Sequence, residues 1–505
     1  MPHVVTQSCV GDGSCVYACP VNCIQPSPDD PAFELAEMLH VDPATCVDCG
    51  ACVTACPVDA IKPHWQLDEH EREFELINAA YHRPAKPRRL LAPVRPALRV
   101  RDRGLPLRVA IVGSGPAAMY AAEELLTIPG AQVSVLERLP VPDGLVRTGV
   151  APDHRRTRRV RRQLDQIRSH PGLTMHLGVE VGRDVTHDEL LRTHHAVIYA
   201  VGAAADRRLE VPGADAPGVL SATELVAWYN GHPDHADRVV DLSQRRAVVI
   251  GNGNVALDVA RILTIDPAAL EDSEISRVAL EALRESRIEE VVVVGRRGPE
   301  HSAFTLPELI GLRATPGVTV GVDPAALAGV AGDDPKLELL RGLGAPAAEG
   351  RRITLRYGLT PAVIEGDERV SAVAFARTGG DDAVERIEAG LVVGSIGYRG
   401  MPVAGLPFDA ATGTVPNRDG RVIAPAGAEP RPATYVVGWI KRGPTGFIGT
   451  NKGCSQDTVA ALVDDYNAGR LPAPPAAPPA AAPEPATTGR RAALRELRRS
   501  LAGSR

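Results

Sequence analysis

Two cysteine-rich stretches near the N-terminus have the residue types and the spacing to bind iron: CVGDGSCVYACP at 9–20 and CVDCGACVTACP at 46–57. The second reads C-x2-C-x2-C-x3-C-P, a run in which three thiolates hold one iron–sulfur cubane and the fourth reaches another cluster. Soft thiolates suit such clusters, and the tight spacing lets one loop wrap a cluster corner. Because the motif occurs twice, we predict two clusters with reciprocal ligation rather than a zinc site or a disulfide knot. The predicted ligand sets are Cys46, Cys49 and Cys52 with Cys19, and Cys9 and Cys15 with Cys56.

Asp12 occupies the position in the first stretch that Cys49 occupies in the second. The first cluster therefore has three certain thiolates, so one iron is either absent or bound by oxygen. We favour a [3Fe–4S] cluster over a [4Fe–4S] cluster ligated by Asp12. If Asp12 only solvates the loop, the cluster again has three irons. Cys23 fits neither ligand set and is interpreted as a nearby non-ligand.

A glycine-rich turn at 107–126, LRVAIVGSGPAAMYAAEELL, lies between an apolar strand and an amphipathic helix. Gly113 permits the tight turn, and Gly115 lets a pyrophosphate approach the backbone at the helix N-terminus. The next strand ends at Glu137, where a carboxylate accepts hydrogen bonds from a ribose. This stretch predicts a binding site for FAD or NAD.

A second turn of this kind lies within 245–263, in the loop of Gly251, Asn252, Gly253, Asn254 and Ala256. The following strand, EEVVVVGRRGPE, ends in Arg296 and Arg297 instead of an acid. A carboxylate there would repel a 2′-phosphate, whereas guanidinium groups would bind it. We therefore predict NADP in preference to NAD, and a flavin beside a nicotinamide.

These elements predict an α/β protein with two Rossmann-like dinucleotide-binding domains after a small α+β iron–sulfur domain. The chain of 505 residues has a net charge of −6, which does not suggest bulk nucleic-acid binding. It has neither a stretch of the length and apolarity of a transmembrane segment nor a signal-peptide pattern. Eight of the nine cysteines lie before residue 57, and such crowding in a reduced compartment favours metal ligation. We expect a cytoplasmic protein.

Several longer motifs resemble known families. Residues 1–62, with eight acidic residues and one lysine, resemble seven-iron bacterial ferredoxins. Residues 106–467 resemble the adrenodoxin-reductase-like ferredoxin–NADP⁺ reductases, and the whole resembles ferredoxin/ferredoxin–NADP⁺ reductase fusions. The motifs that carry this resemblance are GSGPAAMYAAEELL, GLVRTGVAPDH, AVGAAADRRLEVPG, GNGNVALDVARIL, VGRRGP, SIGYRG and YVVGWIKRGPTGFIGTNK.

The resemblance implies roles for matching positions. The expected FAD contacts are Ala118, Glu137, Leu145, Val181, Trp439, Gly446, Phe447 and Ile448. The expected NADP contacts are Arg207, Asn252, Gly253, Asn254, Val255, Arg296, Arg297, Glu308 and Gly446. Some relatives carry a second glutamate where this chain has Gly311. The resemblance therefore does not supply a His–Glu pair, and we assign His154 no catalytic role.

The resemblance also implies a domain order. We expect a ferredoxin domain with two clusters at 1–62, a basic linker at 63–105, an FAD-binding domain at 106–204 and 396–467, and an NADP-binding domain at 205–395. Within the linker, 68–82 could form one short helix. Residues 468–505 should form a Pro/Ala-rich disordered tail with a short basic helix.

The function that we expect is that of a ferredoxin–NADP⁺ reductase, with hydride transfer between NADPH and FAD and single-electron transfer to iron–sulfur clusters. The acceptor would be the fused or a separate ferredoxin, or a downstream redox protein. Six arginines between 155 and 162 could steer an acidic ferredoxin to the flavin domain. The alternatives are an electron-feeding subunit like the small subunit of glutamate synthase, and an iron- or oxygen-sensing ferredoxin fusion.

Overall fold

The computed structural model describes residues 2–83, 89–101, 104–379, 384–424 and 429–474. The N-terminal part contains β1 (His3–Val5), α1 (Ser14–Ala18), β2 (Ile24–Gln25), β3 (His40–Val41), α2 (Ala51–Ala55), β4 (Ile61–Pro63) and α3 (Glu73–Tyr81). The predicted tail lies outside the described residues from residue 475 onward.

Two larger units follow. The first begins with β5 (Arg108–Val112), α4 (Pro116–Leu126), β6 (Gln132–Glu137), α5 (Leu145–Thr148), α6 (Val160–Arg168), β7 (Leu173–Leu177), α7 (His187–Leu191) and β8 (Ala196–Tyr199). The second contains β9 (Ala205–Asp206), β10 (Val219–Ser221), α8 (Ala222–Tyr229), β11 (Arg246–Ile250), α9 (Asn254–Thr264), α10 (Arg277–Arg284), β12 (Glu290–Gly295), α11 (Leu306–Arg313), β13 (Thr319–Val322), α12 (Pro324–Leu327), α13 (Pro335–Leu343), β14 (Arg352–Tyr357), β15 (Leu359–Glu365), β16 (Ala372–Arg377), β17 (Val384–Glu388) and β18 (Leu391–Gly394). The chain then returns to the first with β19 (Tyr398–Arg399), β20 (Asn417–Arg418), β21 (Arg421–Ile423), β22 (Pro430–Val436), α14 (Trp439–Arg442) and α15 (Thr450–Asn467).

The N-terminal part is a small α+β unit. Its strands form two antiparallel pairs, β1 with β4 and β2 with β3. Helix α3 packs on this unit: Phe74 belongs to its core, and the Asn78 side chain accepts hydrogen bonds from the backbone N–H groups of Val5 and Val41. Because that amide joins two strands that are far apart in sequence, α3 is an integral part of the iron–sulfur unit.

The first larger unit is built on a seven-stranded sheet in the order β20-β21-β22-β8-β5-β6-β7. The strands from β22 to β7 are parallel, and the β20–β21–β22 edge is antiparallel. Helices α4 and α15 pack against each other beside this sheet. Strand β5 is buried along its whole length, as expected for a central parallel strand covered on both faces.

The second larger unit has a six-stranded, all-parallel sheet in the order β10-β18-β11-β12-β14-β13. A three-stranded antiparallel sheet of β15, β16 and β17 adjoins it. Where the chain crosses between the two units, β9 pairs with β19 through Asp206 and Tyr398. These two open α/β sheets confirm the predicted fold class. In the part of the chain that the structure describes, no helix is both long and apolar enough to cross a membrane.

Candidate functional site

The two cysteine motifs fold into matching structures. In each, a left-handed glycine precedes a short helix, Gly13 with φ 73° before α1 and Gly50 with φ 75° before α2. Each helix carries one cysteine in its first turns and ends at another in extended conformation, Cys19 or Cys56. Helices α1 and α2 pack side by side. This packing brings the last cysteine of each motif to the other motif's loop, as reciprocal ligation requires.

The set that contains Cys49 surrounds a small cavity, whose lining includes Cys19, Cys46, Cys49 and Cys52. Burial raises the pKa of the Cys52 thiol to about 12, with further contributions from Cys46, Cys19 and Cys49. Cys23 lines the same cavity as a fifth cysteine. The four predicted ligands therefore share one space. The arrangement fits a cluster held by four thiolates, since its positive irons would offset the cost of burying them.

The Cys23 sulfur lies 3.4 Å from that of Cys19, close enough for a thiol–thiolate hydrogen bond. The hydrogen bond from Cys23 lowers the pKa of Cys19 to about 5 and raises the pKa of Cys23 far above its usual range. Cys23 is therefore placed to tune the electron density on a predicted ligand sulfur.

The set that contains Asp12 is more deeply buried. Burial raises the pKa of Cys15 well above its usual range, and the nearby Asp12, Cys9, Cys56 and Cys52 raise it further. The Ser14 hydroxyl donates a short hydrogen bond to the Asp12 carboxylate. The Lys452 ammonium group of α15 donates to the Ser14 hydroxyl at 3.5 Å. Three thiols and one carboxylate at this site fit either cluster type that the sequence predicts.

The first glycine-rich turn joins β5 to α4. Gly113 has φ 103°, and a Cβ there would overlap the Ala200 carbonyl, so only glycine fits. At Gly115, the residue before α4, a Cβ would meet no atom within 4 Å, so the backbone lies open as a pyrophosphate would require. The Glu137 carboxylate accepts hydrogen bonds from Ser114 N–H at 3.1 Å and from Leu139 N–H at 2.9 Å. The turn and the acid thus meet at the carboxyl ends of β5 and β6.

The second turn repeats this arrangement between β11 and α9. Gly251 has φ 117° and packs against the Ser395 carbonyl, while the Cβ position of Gly253 is open to 4 Å. Arg296 and Arg297 follow β12, the neighbouring strand, and both side chains are exposed. Their position at the same sheet edge as the turn fits recognition of a 2′-phosphate.

The remaining predicted contacts lie on several elements. Val255 is in the first turn of α9, and the Asn254 carboxamide oxygen accepts a hydrogen bond from Thr305 N–H at 2.8 Å. Asn252 packs against Gly295 at the end of β12. Arg207 is exposed and follows β9. The predicted flavin residues Ala118 and Val181 are buried, and Leu145 begins α5.

The Trp439 indole donates to the Thr445 carbonyl at 3.0 Å, with the Tyr398 ring 5.3 Å away. The turn of Gly446, Phe447 and Ile448 begins after Thr445 and is closed by a hydrogen bond from Phe447 N–H to the Thr450 hydroxyl at 2.9 Å. This turn is followed directly by α15, whose first residues face the Asp12 site.

Glu308 lies in a buried charge cluster instead of an open cleft. Its carboxylate is 2.8 Å from the Arg261 guanidinium and 3.3 Å from His154 Nε2, which also lies 2.8 Å from the Asp258 carboxylate. Burial and Arg261 lower the pKa of His154, but Glu308 and Asp258 outweigh them and hold it well above its usual range. The chain thus has glycine at 311 in place of the second glutamate, while Glu308 and Asp258 lie beside His154.

Arg261 is the centre of this cluster and was missed by the sequence reasoning. Its guanidinium binds Asp153 at 2.5 Å as well as Asp258 and Glu308, and its side chain is almost fully buried. It thus ties α9 and α11 of the second unit to the GLVRTGVAPDH loop of the first. The sequence signal for Arg261 is that a charged residue stands among the apolar residues of GNGNVALDVARIL, on the buried side of α9.

The iron–sulfur unit is docked against both larger units. Gly449 N–H donates to the Val10 carbonyl at 2.8 Å, and a Cβ on Gly449 would overlap the backbone of Gly11 and Asp12. Val10, together with Cys9 and Cys56, packs against the core of the first larger unit. The Asp12 site therefore adjoins the Gly446–Ile448 turn directly.

Further contacts hold the iron–sulfur unit in place. On the second larger unit, a Cβ on Gly311 would overlap the Gln7 side chain, and Glu37 accepts from Leu306 N–H at 2.8 Å. On the first, Arg156 binds Glu71 at 2.8 Å and Arg159 binds Asp59. Two of the six arginines at 155–162 thus contact this unit.

Comparisons with known proteins agree with this geometry. Residues 107–295 match the family model described as pyridine nucleotide-disulphide oxidoreductase, and residues 8–60 match the 4Fe-4S dicluster domain. The chain is 57% identical over 494 residues to a ferredoxin/ferredoxin–NADP reductase of Mycobacterium tuberculosis, covering 94% of this chain and 85% of that protein. It is 40% identical over 402 residues to the human mitochondrial NADPH:adrenodoxin oxidoreductase, covering 73% and 80%. The structure of M. tuberculosis FprA in complex with NADPH superimposes with a TM-score of 0.70 at 41% identity, covering 79% of this chain and 90% of that one.

Proposed function

The chain belongs to the family of ferredoxin/ferredoxin–NADP reductases, and from this premise we propose that it is an oxidoreductase that carries electrons from NADPH to iron–sulfur clusters of its own N-terminal unit. When bound, FAD would accept a hydride from NADPH and pass single electrons to the clusters. The observation that supports this most directly is the contact of the Cys9–Asp12 loop with Gly449, next to the proposed flavin turn.

Each part of the chain has a defined task in this proposal. The Gly113–Gly115 turn and Glu137 would bind the FAD pyrophosphate and ribose. The Gly251–Gly253 turn would bind NADP(H), with Arg296 and Arg297 on its 2′-phosphate. The cluster of His154, Asp258, Glu308 and Arg261 would hold the two nucleotide-binding units in register, since its ion pairs join them.

We propose one [4Fe–4S] cluster held by Cys19, Cys46, Cys49 and Cys52, and a second cluster at the Asp12 site with Cys9, Cys15 and Cys56. For the second, we prefer three irons, because this site has only three thiolates and a carboxylate is a harder ligand than the thiolates that iron–sulfur clusters favour. The iron–sulfur domain would extend to about residue 83, because α3 is part of its core. The other domain limits that we propose are those expected from the sequence.

The test is anaerobic electron paramagnetic resonance of the holoenzyme before and after one equivalent of NADPH. We expect a signal in the oxidised protein, as an oxidised [3Fe–4S] cluster is paramagnetic, and its loss after NADPH. A silent oxidised protein with eight irons would show that Asp12 ligates a fourth iron. If NADPH bleaches the flavin but leaves the clusters oxidised, the proposed transfer to the N-terminal unit is wrong.

A further inference from the structure

The two loops of the cysteine repeat lie in opposite environments. When the motifs are aligned, Val10 corresponds to Val47 and Asp12 to Cys49. Val10 is 4% exposed and packs on the reductase half, that is, the two larger units from β5 to α15, whereas Val47 is 58% exposed. Cys49 is also exposed, although Asp12 is buried. One copy of the loop is thus covered by the reductase half, and its structural equivalent faces solvent.

We propose that the exposed loop of Asp42–Gly50 is the docking surface for a separate one-electron acceptor protein. This inference rests on the proposed function and specifies where electrons leave the chain. Oxidation of NADPH to NADP⁺ and H⁺ releases two electrons, so each NADPH would reduce two acceptor molecules by one electron each. The Asp12 site faces the electron source, and the Cys49 site faces the acceptor.

The covered loop shows what kind of contact this surface can make. In the Val10 loop, an apolar side chain packs into the reductase half while the loop backbone accepts a hydrogen bond from Gly449. The Val47 loop presents the same valine position and the same left-handed glycine, Gly50. The internal repeat therefore offers a second partner the apolar contact that the first loop already uses.

Charge indicates the chemistry of that partner. Asp42 and Asp48 flank Cys46 on the loop, and residues 40–61 contain no lysine or arginine. Asp48 is partly exposed and binds His3 at 2.7 Å. An acidic loop with a central apolar residue fits an acceptor protein with a basic rim around its own redox centre.

The face of the reductase half beside the proposed flavin turn is covered by the chain's own N-terminal unit. Gly449 and Gly311 are packed against Asp12 and Gln7, and the Arg156 and Arg159 side chains are bound to Glu71 and Asp59. A separate acceptor that competed for this face would first have to displace the fused domain.

The experiment uses cytochrome c, a small basic one-electron acceptor, as the probe. Val47→Arg places a positive charge at the centre of the proposed surface. Leu35→Arg is the matched control, because Leu35 is 84% exposed on the same unit but lies beside α11, away from the Cys49 cavity. Both variants change the net charge equally. Binding of oxidised cytochrome c is measured by calorimetry at low ionic strength, with its reduction rate under NADPH.

We expect Val47→Arg to weaken cytochrome c binding and slow its reduction by roughly tenfold at low ionic strength, and Leu35→Arg to change either by less than about twofold. Val47→Glu should have the opposite effect to Val47→Arg. Equal effects of Val47→Arg and Leu35→Arg, or no effect of either, would overturn the proposed surface. Paramagnetic resonance after NADPH separates the two proposals, because clusters that stay oxidised in all variants would instead contradict the function itself.

Discussion

One methyl group added at Gly449 should slow reduction of the iron–sulfur unit and leave reduction of the flavin by NADPH unchanged. It lies between the proposed flavin turn and the Asp12 loop, and its N–H donates to the Val10 carbonyl at 2.8 Å. A Cβ on Gly449 would overlap backbone atoms of Gly11 and Asp12, which cannot rotate away as a flexible side chain can. We therefore expect Gly449→Ala to push the Asp12 loop off the reductase half.

The size of the effect follows from the cost of overpacking. Inserting a methyl group into a packed contact costs about 1–3 kcal/mol. Since 1.4 kcal/mol is a factor of ten in an equilibrium constant, docking of the iron–sulfur unit should weaken by about 5- to 150-fold. The rate of cluster reduction should fall by up to the same factor, while NADPH still reduces the flavin at the normal rate.

The assay is stopped-flow mixing of the holoenzyme with NADPH, with flavin bleaching followed optically and cluster reduction followed by freeze-quench paramagnetic resonance. Rates are expressed per bound FAD, so that a loss of flavin is not mistaken for slow transfer. The control is Gly453→Ala, one turn later in α15, where the atom nearest to a Cβ is Arg95 Nη2 at 4.0 Å. The reasoning would be refuted by normal cluster reduction in Gly449→Ala, or by equal slowing in Gly453→Ala.

Four further perturbations test other parts of the site. The pKa of His154 is raised above its usual range in the folded protein. The ion pairs of His154 therefore stabilise the fold fully below about pH 6.5, and this stabilisation is lost as pH rises through the folded-state pKa. The difference in free energy of unfolding between wild type and His154→Gln should therefore shrink as pH rises. A difference that does not change with pH would contradict the raised pKa of His154. Arg261→Met should lower the free energy of unfolding in urea by about 3–5 kcal/mol, because it leaves buried carboxylates without their cation. A loss below about 1 kcal/mol would show that these carboxylates do not depend on Arg261. Cys23→Ala removes a hydrogen bond to the Cys19 sulfur worth about 1 kcal/mol, so the midpoint potential of that cluster should fall by about 40 mV in a redox titration, whereas an unchanged or higher potential would show that Cys23 does not donate to this sulfur. Arg296→Ala should raise KM for NADPH about 10- to 100-fold and leave KM for NADH unchanged, and a parallel rise for both would exclude a 2′-phosphate contact.

Local patterns could predict a large part of this molecule. The cysteine spacing and the two glycine-rich turns depend on residues close in sequence, and the structure places each at the expected end of a strand or helix. The residues that hold the parts together depend on contacts across the chain. His154 meets Asp258 from 104 positions away, and Arg261 meets Glu308 over 47. Since side-chain pairing over such distances is set by how helices pack, no short motif specifies it.

Gly311 shows how one position can bear on the docking of another domain. The resemblance implies that some relatives carry a glutamate here, so the pair of that glutamate with His154 is not expected in this chain. In the structure, the space beside Gly311 is occupied by the Gln7 side chain of the fused domain. Glycine at 311 therefore leaves room on α11 for the N-terminal unit to pack. The carboxylates beside His154 are those of Asp258 and Glu308.

In the proposed function, the internal repeat and the fusion together would give electron flow a direction through the N-terminal unit. A two-cluster unit with near-twofold symmetry could dock by either loop, and only the covered one lies next to the electron source. In this chain the covered loop differs from the exposed one at two aligned positions that lie at this contact. Asp12, where the other motif has Cys49, is buried beside Ser14 and Lys452, and Gly11, where the other motif has Asp48, packs against Gly449. At Gly11 the contact with Gly449 is made by the backbone, because a Cβ on Gly11 would meet no atom within 4 Å. The loop that carries Asp48 and Cys49 lies away from this contact, with Val47 and Cys49 exposed, where the proposed acceptor would reach it.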